Sequence, residues 1–232
     1  MSLYNRENQY INLLAQGPAT VKELSEKLFI SEPTVRRDII LLQQKELITR
    51  NRGIVTLKTH SPDQRIPLFI RQLEQNEEKK TIAIKAASKI KDGDVIMLDA
   101  STTAFYILPL LTSFKKILII TNGAKTALEA VSMGIRTICT GGEMTLESFS
   151  YIGPDAEATL SRYNADIAFF SCRGISDDGV ATDNSIMENN MRRIMIKNSK
   201  ESYILCDKSK FSKTYLNTLC KVEEISGLIS DI

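Results

Sequence analysis

The start of the chain contains three short segments in which apolar residues recur at helical spacing. The first segment ends at Gly17-Pro18, and the second follows Thr20, a residue type favoured at helix N-caps. The third follows Ser31 and carries Glu32 and Pro33 in its first turn, where proline is tolerated. The pattern predicts three helices whose buried faces are formed by Tyr10, Leu13 and Leu14, then Val21, Leu24 and Leu28, then Val35, Ile39 and Leu42.

A hairpin is predicted after the third helix. Residues 47–57 alternate around a turn at Asn51–Gly53, and Arg50 and Arg52 lie at the tip. Two helices joined by a short turn leave the second one projecting, which is how a helix enters the major groove of DNA. A basic hairpin beside it can hold phosphates or reach the minor groove. The pattern favours a winged helix-turn-helix over a small protein-interaction module, and the predicted DNA contacts are Ser31, Thr34, Arg36, Arg37, Arg50 and Arg52.

The rest of the chain alternates between short apolar runs and helical segments. Prolines and polar residues predict a linker over residues 59–76, between one domain at 1–58 and a second at 77–232. Strands are predicted at Val95–Leu98, Ile117–Ile120, Thr137–Cys139, Ile167–Phe170, Tyr203–Leu205 and Gly227–Ile229. Helices are predicted at Ala104–Leu111, Ala124–Met133, Asp155–Tyr163 and Ile186–Asn198. This alternation is typical of an α/β fold with a mostly parallel sheet covered on both faces.

Polar residues follow five of the predicted strands. Parallel strands would bring the five loops to one carboxyl edge, where open α/β sheets bind ligands. Hydroxyls and free N–H groups at the start of a helix bind phosphate, paired glycines permit close approach, and a lysine supplies a counter-charge. Their coincidence predicts a site for a phosphorylated small molecule that includes Ser101, Thr102, Thr103, Gly141, Gly142 and Lys210.

Composition sets limits on this interpretation. The net charge of +2 is nearly neutral, but residues 1–60 hold nine Lys and Arg against six acids. The start of the chain does not resemble a signal peptide, and no run of about 18 apolar residues occurs, so we expect a cytoplasmic protein without a membrane segment. One histidine and widely spaced cysteines predict no metal site and no cofactor. We expect small buried thiols, in a reducing compartment, at Cys139, Cys172, Cys206 and Cys220.

Taken together, these motifs resemble the DeoR family of bacterial sugar-metabolism regulators. The order of the motifs along nearly the whole chain carries the resemblance, because each motif alone is unspecific. The matching stretches are Ser31–Ile39, Asn76–Lys79, Asp92–Asp94, Leu98–Thr103, Thr121-Asn122, Gly141-Gly142, Ile152-Gly153, Gly174-Ile175 and Asp207–Phe211.

The resemblance implies that residues 77–232 are similar in fold to ribose-5-phosphate isomerase. It implies a repressor that binds an operator in double-stranded DNA and is released by a phosphorylated sugar or related metabolite. A homo-oligomer, dimer or tetramer, is expected because such proteins bind near-palindromic sites. The residues that match the family's pocket are Asp99, Ser101, Thr102, Thr103, Asn122, Gly141, Gly142, Glu188 and Lys210.

The chain departs from the family pattern at four places. Ser101 stands where glycine is frequent, and Gly123 stands where serine is frequent. The hairpin reads Asn51–Ile54 in place of His-Gly-Gly, and Met144-Thr145 stands where a basic residue is frequent.

Two alternatives remain for the second domain. The first is an isomerase-like enzyme, since Asp99, Asp183, Glu188 and Lys210 offer acid and base groups. No nucleophile–base constellation accompanies them in the sequence, so we expect no enzymatic activity. The other alternative is an oligomerisation domain whose pocket binds nothing.

Overall fold

Residues 3–15, 17–45, 47–58 and 75–232 are described by the computed structural model. The chain divides into two compact units, 1–74 and 75–232. The predicted linker, residues 59–76, lies outside the described residues except for its last two, Gln75 and Asn76. Within the described ranges, no helix has the length and apolar character needed to cross a membrane.

The N-terminal unit has the predicted winged helix-turn-helix arrangement. Its elements are α1 (Leu3–Ala15), β1 (Ala19–Thr20), α2 (Val21–Leu28), α3 (Glu32–Gln44), β2 (Ile48–Asn51) and β3 (Ile54–Leu57). The strands form an antiparallel sheet in the order β1-β3-β2. The predicted apolar faces meet in one core, where the side chains of Tyr10, Leu24, Val35, Ile39 and Leu42 are fully buried.

Local signals fix the ends of these elements. Thr20 forms a capping box with Glu23, in which each side chain accepts a hydrogen bond from the other's backbone N–H. Ser31 occupies the N-cap position of α3, but its hydroxyl does not bond a backbone N–H and instead pairs with the Thr34 hydroxyl at 2.9 Å. Arg52 and Gly53 form the hairpin turn, both with positive φ (47° and 87°), as a two-residue turn between twisted strands requires.

A six-stranded parallel sheet forms the centre of the second unit. Its strands are β4 (Val95–Leu98), β5 (Leu118–Thr121), β6 (Arg136–Cys139), β9 (Ala165–Ser171), β12 (Ser199–Cys206) and β14 (Gly227–Ser230). Their order is β14-β12-β9-β4-β5-β6, and every neighbouring pair is parallel. The order reverses between β4 and β9, so this pair of strands is the topological switch point of a doubly wound sheet.

Helices cover both faces of this sheet. They are α4 (Asn76–Ala87), α5 (Thr102–Phe105), α6 (Leu108–Leu111), α7 (Ala124–Ser132), α8 (Pro154–Leu160) and α9 (Ile186–Lys197). One apolar cluster centres on Ile96, Leu98 and Phe169, and a second centres on Met97, Phe170 and Met195. Alternate residues of the same strands enter opposite clusters, as a sheet covered on both sides requires.

The helix predicted at Ala104–Leu111 is wrong in one respect. The segment forms two helices of one turn each, α5 and α6, with Tyr106 and Ile107 between them. Pro109 explains the break, because its ring lacks an N–H and would clash with the carbonyl of Phe105 in a continuous helix.

Short antiparallel strands complete the unit and were not predicted. β7 (Glu143–Met144) pairs with β8 (Tyr151–Ile152), and β10 (Gly174–Ile175), β11 (Val180–Asp183) and β13 (Asn217–Lys221) form a small sheet. Three cysteines are buried thiols as expected, but Cys139 is exposed because it ends β6, the edge strand.

Candidate functional sites

The exposed side of α3 carries the predicted DNA contacts. The side chains of Arg36 and Arg37 are exposed, whereas their chain neighbours Val35 and Asp38 are buried. Arg36 forms an exposed ion pair with Glu32 one turn earlier, at 3.0 Å. Arg37 makes no such contact with the described residues. The helix therefore presents two cations, one of them already paired to an acid, to any ligand that approaches.

The first turn of α3 and the hairpin hold the other predicted contacts. The hydroxyls of Ser31 and Thr34 bond to each other rather than to the backbone, so the N–H of Thr34 keeps no side-chain cap. Arg50 on β2 and Arg52 in the turn are both exposed. Uncapped N–H groups at a helix start and exposed arginines are groups that bind phosphate.

A buried carboxylate holds α3 from behind, which the sequence analysis missed. Asp38 is 2% exposed. It accepts hydrogen bonds from Arg6 Nε at 2.9 Å, from Arg6 Nη2 at 3.2 Å and from the Tyr10 hydroxyl at 3.3 Å. Burial and the nearby Asp38 charge raise the pKa of Tyr10 above its usual value. Two residues of α1 thus fix the rotation of α3 about its axis.

In the second unit, the loop after β4 is organised by Asp99. This carboxylate is buried and accepts from the N–H of Ser101 at 3.0 Å, the N–H of Ser171 at 3.1 Å and Arg192 Nε at 3.1 Å. Ser171 ends β9, so Asp99 bridges the two strands of the switch point. Its oxygens are engaged by the protein itself, which makes Asp99 an organiser of the loop.

Free donors lie beside this carboxylate. The Ser101 hydroxyl caps α5 by accepting from the N–H of Ala104 at 3.1 Å. Thr102 and Thr103 follow in the first turn, and neither their hydroxyls nor their N–H groups bond to the described residues. Lys210 Nζ donates to the Ser171 hydroxyl at 2.7 Å and forms an ion pair with Asp207 at 3.9 Å, which leaves a proton of the ammonium for a further partner. The loop after β4 and Lys210 are therefore linked through the end of β9.

The side chain of Asn122, which follows β5, has a buried polar atom without a hydrogen-bond partner. The residue is 2% exposed, and its Nδ2 donates to the carbonyl of Tyr151 at 3.0 Å. Its Oδ1 is buried without a hydrogen-bond partner. Leaving such an acceptor unpaired costs about 1–3 kcal/mol, so a donor from a bound molecule would be favoured there.

The Gly141-Gly142 pair has a structural explanation at its second residue. A Cβ on Gly142 would lie 3.0 Å from the Cβ of Ala156 and 3.0 Å from the carbonyl oxygen of Ile152. The loop after β6 packs directly against α8 and β8, and this contact requires glycine. A Cβ on Gly141 would meet nothing within 4 Å, although its φ of +64° favours glycine.

Glu188 reaches the same region from α9. Its Oε1 accepts from the hydroxyls of Ser148 and Ser150 at 2.6 and 2.9 Å, and its Oε2 accepts from Arg192 Nη2 at 3.3 Å. Arg192, which the sequence analysis did not identify, is 6% exposed and also donates from Nη1 to Asp183 at 2.8 Å. One guanidinium therefore contacts three carboxylates, those of Asp99, Asp183 and Glu188.

The charges in this cluster stabilise one another. Burial alone would lower the pKa of Arg192, but attraction from Asp183, Asp99 and Glu188 outweighs it and holds that pKa above its usual value. Burial alone would raise the pKa of Asp183, but Arg192 and the N–H groups of Ser185 and Asn184 outweigh it and lower that pKa. Both groups are charged at neutral pH. Among the described residues, no group of three or more His, Cys, Asp or Glu side chains is arranged to hold a metal ion.

Comparison with known families decides the identity of the chain. Residues 6–61 match the DeoR-like helix-turn-helix domain, and residues 74–232 match the DeoR C terminal sensor domain. The chain belongs to the DeoR family. The predicted family and the predicted class of function, a DNA-binding transcriptional regulator, are therefore confirmed.

Curated DeoR relatives match over nearly their full length. An uncharacterized HTH-type transcriptional regulator, YulB, of Bacillus subtilis is 32% identical over 100% of this chain and 90% of its own. The L-fucose operon activator of Escherichia coli is 30% identical over 97% of this chain and 94% of its own. The glycerol-3-phosphate regulon repressor of Escherichia coli is 28% identical over 100% and 92%. These relatives are transcriptional regulators.

A solved structure with a TM-score above 0.5 shares the fold over most of this chain. The eIF2B delta chain of Chaetomium thermophilum matches 91% of this chain and 76% of its own, with a TM-score of 0.53 and 16% identity. Ribose 5-phosphate isomerase A of Methanocaldococcus jannaschii matches 60% of this chain with a TM-score of 0.45 and 19% identity. This chain spans little more than half, 55%, of that isomerase. The predicted fold class, a winged helix-turn-helix followed by a parallel α/β domain, is confirmed.

Proposed function

We propose that this protein is a repressor whose operator binding is controlled by a phosphorylated sugar or polyol bound at the carboxyl edge of the six-stranded sheet. The observation that carries the proposal is the buried Oδ1 of Asn122, which lacks a donor in a unit whose neighbouring loop offers free donors. A ligand hydroxyl satisfies Asn122. A phosphate group suits the N–H and hydroxyl groups of Thr102 and Thr103 and the ammonium of Lys210.

The proposed site keeps every predicted effector residue but divides their roles. Thr102, Thr103, Asn122 and Lys210 contact the ligand, and Glu188, partly exposed, accepts from a ligand hydroxyl. The remaining residues shape the loops around the ligand, namely Asp99, Ser101, Gly141 and Gly142.

We propose no catalytic activity for this site. An acid–base pair needs a group free to exchange a proton with the substrate. Asp99 and Asp183 are each engaged by Arg192 and by backbone N–H groups, and the pKa of Asp183 is lowered. Glu188 is engaged by Ser148, Ser150 and Arg192, and Lys210 by Ser171 and Asp207, so we assign these two residues to ligand binding.

We propose that α3 and the hairpin form the DNA-binding surface of a homo-oligomer. Ser31 and Thr34 bind backbone phosphate or a base edge, Arg36 and Arg37 enter the major groove, and Arg50 and Arg52 hold flanking phosphates. The two units act as separate domains joined by residues 59–76. Two copies place two such helices on the half-sites of a near-palindromic operator.

One experiment tests the effector site. The full chain is screened by thermal shift against inorganic phosphate, glycerol 3-phosphate and fructose 1-phosphate, and then by gel retardation on its operator. A ligand of the native state raises the apparent stability, and for a repressor it also releases the DNA. Thr102→Ala should weaken binding at least tenfold, whereas Thr112→Ala, a threonine outside the site, should not. A shift that survives in Thr102→Ala contradicts the location, and a ligand that strengthens retardation contradicts the repressor role.

A second experiment tests the DNA-binding surface. The double variant Arg36→Ala/Arg37→Ala should lose operator retardation, at least a hundredfold, because it removes both cations from α3. Lys27→Ala is the matched control, an exposed cation near the end of α2. A double variant that folds and binds its operator normally contradicts the assignment of this helix.

A further inference from the structure

We infer that Arg192 is the positioning residue of the effector site, and that it fixes the direction in which the ligand binds. The inference rests on the proposed function. Arg192 donates to Asp99 on the phosphate side of the site and to Glu188 on the hydroxyl side, while Asp183 anchors it from β11.

The hydrogen bonds of Arg192 account for its orientation. A guanidinium has five N–H protons in a fixed plane. Nε–H is donated to Asp99, both protons of Nη1 are donated to Asp183 and Asn189, and one proton of Nη2 is donated to Glu188. Four protons are therefore committed to four residues, and the group cannot rotate without breaking several bonds at once.

Its partners come from separate parts of the fold. Asp99 follows β4 at the switch point, Asp183 ends β11 in the small sheet, and Glu188 lies one turn before Arg192 on α9. Through Glu188 the network extends to Ser148 and Ser150, in the segment that joins β7 to β8. Strand β8, which follows this segment directly, contacts the loop after β5, because the N–H of Tyr151 donates to the carbonyl of Asn122. Arg192 thus links three loops that surround the proposed ligand.

The charge balance of this network orients the ligand. Three carboxylates face one guanidinium, so the Glu188 side carries surplus negative charge. Asp183 and Asp99 are held by backbone N–H groups as well, whereas Glu188 has only side-chain donors and is the most exposed of the three. A phosphate would be repelled there, while a hydroxyl could donate to it. The phosphate therefore lies at Thr102, Thr103 and Lys210, and the hydroxyls lie toward Glu188 and Asn122.

Without Arg192, Glu188 would lose its cationic partner and keep the two hydroxyl groups of Ser148 and Ser150, which bond only its Oε1. The remaining carboxylates would repel one another, and Glu188 would turn toward water. A lysine at this position keeps the charge, but its single ammonium cannot reproduce a planar fork that spans three acids. Arg192→Lys should therefore weaken binding of the hydroxyl-bearing part of a ligand more than binding of phosphate alone.

The test compares two probes on the full-length protein. Calorimetry measures the Kd of inorganic phosphate and of glycerol 3-phosphate for wild type, Arg192→Lys and the control Arg193→Lys, whose exposed side chain donates to Asn190. We expect Arg192→Lys to raise the Kd of glycerol 3-phosphate at least tenfold and that of phosphate less than threefold. Glu188→Gln in the Arg192→Lys background should add less than twofold, since the two residues act through one contact.

The outcomes separate this inference from the proposed function. Wild-type protein that binds neither glycerol 3-phosphate nor fructose 1-phosphate contradicts the proposed function itself. Wild-type protein that binds, with Arg192→Lys binding equally well or losing both probes to the same extent, contradicts only the role of Arg192. If Arg192→Lys does not fold, the variant Asp183→Asn tests the inference instead, because it keeps Arg192 and weakens the contact of Arg192 with residue 183. It should raise the Kd of glycerol 3-phosphate at least threefold, and an unchanged Kd overturns the inference.

Discussion

In each unit a buried charged side chain organises its neighbours, and the two side chains differ in sign and in the balance of charge around them. In the N-terminal unit the buried group is Asp38, which is matched by the two-pronged guanidinium of Arg6 and the hydroxyl of Tyr10. In the sensor unit it is Arg192, which faces three carboxylates. In the first arrangement one guanidinium balances the charge of one carboxylate. In the second, one guanidinium faces three carboxylates, so negative charge is in excess.

The difference follows from where each group lies. Asp38 is on the buried side of α3, and its partners come from α1, away from the exposed Arg36 and Arg37. A complete ion pair there fixes the orientation of α3 within the N-terminal unit. Arg192 lies beside a sheet edge that holds an unsatisfied acceptor, Asn122. Because negative charge is in excess around Arg192, the carboxylates there can accept hydrogen bonds from a ligand. Buried ion pairs therefore fix a helix in the N-terminal unit, and in the sensor unit they leave groups that can bind a ligand.

The largest expected effect tests the incomplete cluster. Arg192→Met fills the space but leaves Asp99, Asp183 and Glu188 without their shared cation, so the sensor unit should lose about 3–5 kcal/mol of unfolding free energy. Hydrogen exchange read by mass spectrometry over residues 75–232 measures this loss in the full chain. Arg193→Met, one position along α9, should stay within about 0.5 kcal/mol. A loss of less than about 1 kcal/mol for Arg192→Met would show that the carboxylates do not depend on it.

The complete pair should respond less strongly. Asp38→Ala removes an acceptor of three hydrogen bonds and should lower the stability of residues 3–58 by about 2 kcal/mol. The effect is smaller because the side chain left unpaired, that of Arg6, is 19% exposed and can regain water, whereas the side chain of Asp99, left unpaired in Arg192→Met, is 3% exposed. Glu26→Ala, an exposed acid on α2, is the control. Exchange protection confined to the N-terminal unit is the readout, and an effect on operator affinity without loss of stability would assign Asp38 to DNA contact instead.

The two arrangements were not equally visible in the sequence. The helices α1–α3 and all six strands of the large sheet could be predicted, because hydrophobic periodicity reports burial directly. Arg192 could not be separated from Arg193 by residue type. Its position was nevertheless encoded, since Asn189, Arg192 and Met195 recur every three residues on the buried face of α9. An arginine on an otherwise buried helical face is the signal that could have identified it.

Other parts of the site depend on contacts that no local pattern specifies. The strands β7, β8 and β10 have two residues each, too short for alternation to be detected. The sequence therefore gives no sign that Ser148 and Ser150 contact Glu188. The helix predicted after β4 is also too long, because Pro109 interrupts it, so the helix dipole at Thr102 is weaker than that of a continuous helix.

The stabilities of the two units should depend on pH in different ranges. Residues 75–232 should lose stability in acid, and residues 3–58 should lose stability in alkali. The lowered pKa of Asp183 contributes stability that is present above its unfolded pKa and is lost as the pH falls through the lowered value, below about 4. The raised pKa of Tyr10 contributes stability that is present below its unfolded pKa, about 10, and is lost as the pH rises through the raised value.

Matched variants isolate these two contributions. Asp183→Asn should reduce the loss of unfolding free energy of residues 75–232 in acid by about 1 kcal/mol. Tyr10→Phe should reduce the loss for residues 3–58 in alkali by about the same amount. The measurement is hydrogen exchange corrected for intrinsic rates. If Asp183→Asn also reduced the loss of stability of residues 3–58 in acid, the stabilities of the two units would not depend on pH independently.

The smallest effect concerns a charge pair that is not buried at all. Glu32 holds Arg36 on the exposed side of α3, and such pairs contribute less than about 0.5 kcal/mol to stability. Glu32→Gln should therefore leave unfolding unchanged, yet raise operator affinity about threefold, because it removes an acid from a phosphate-binding surface and frees Arg36. Glu26→Gln serves as the control, and gel retardation at fixed salt is the measurement. A decrease in affinity would mean that Glu32 orients Arg36 for DNA binding, so that an exposed ion pair positions a cation as the buried contacts of Asp38 and Arg192 do.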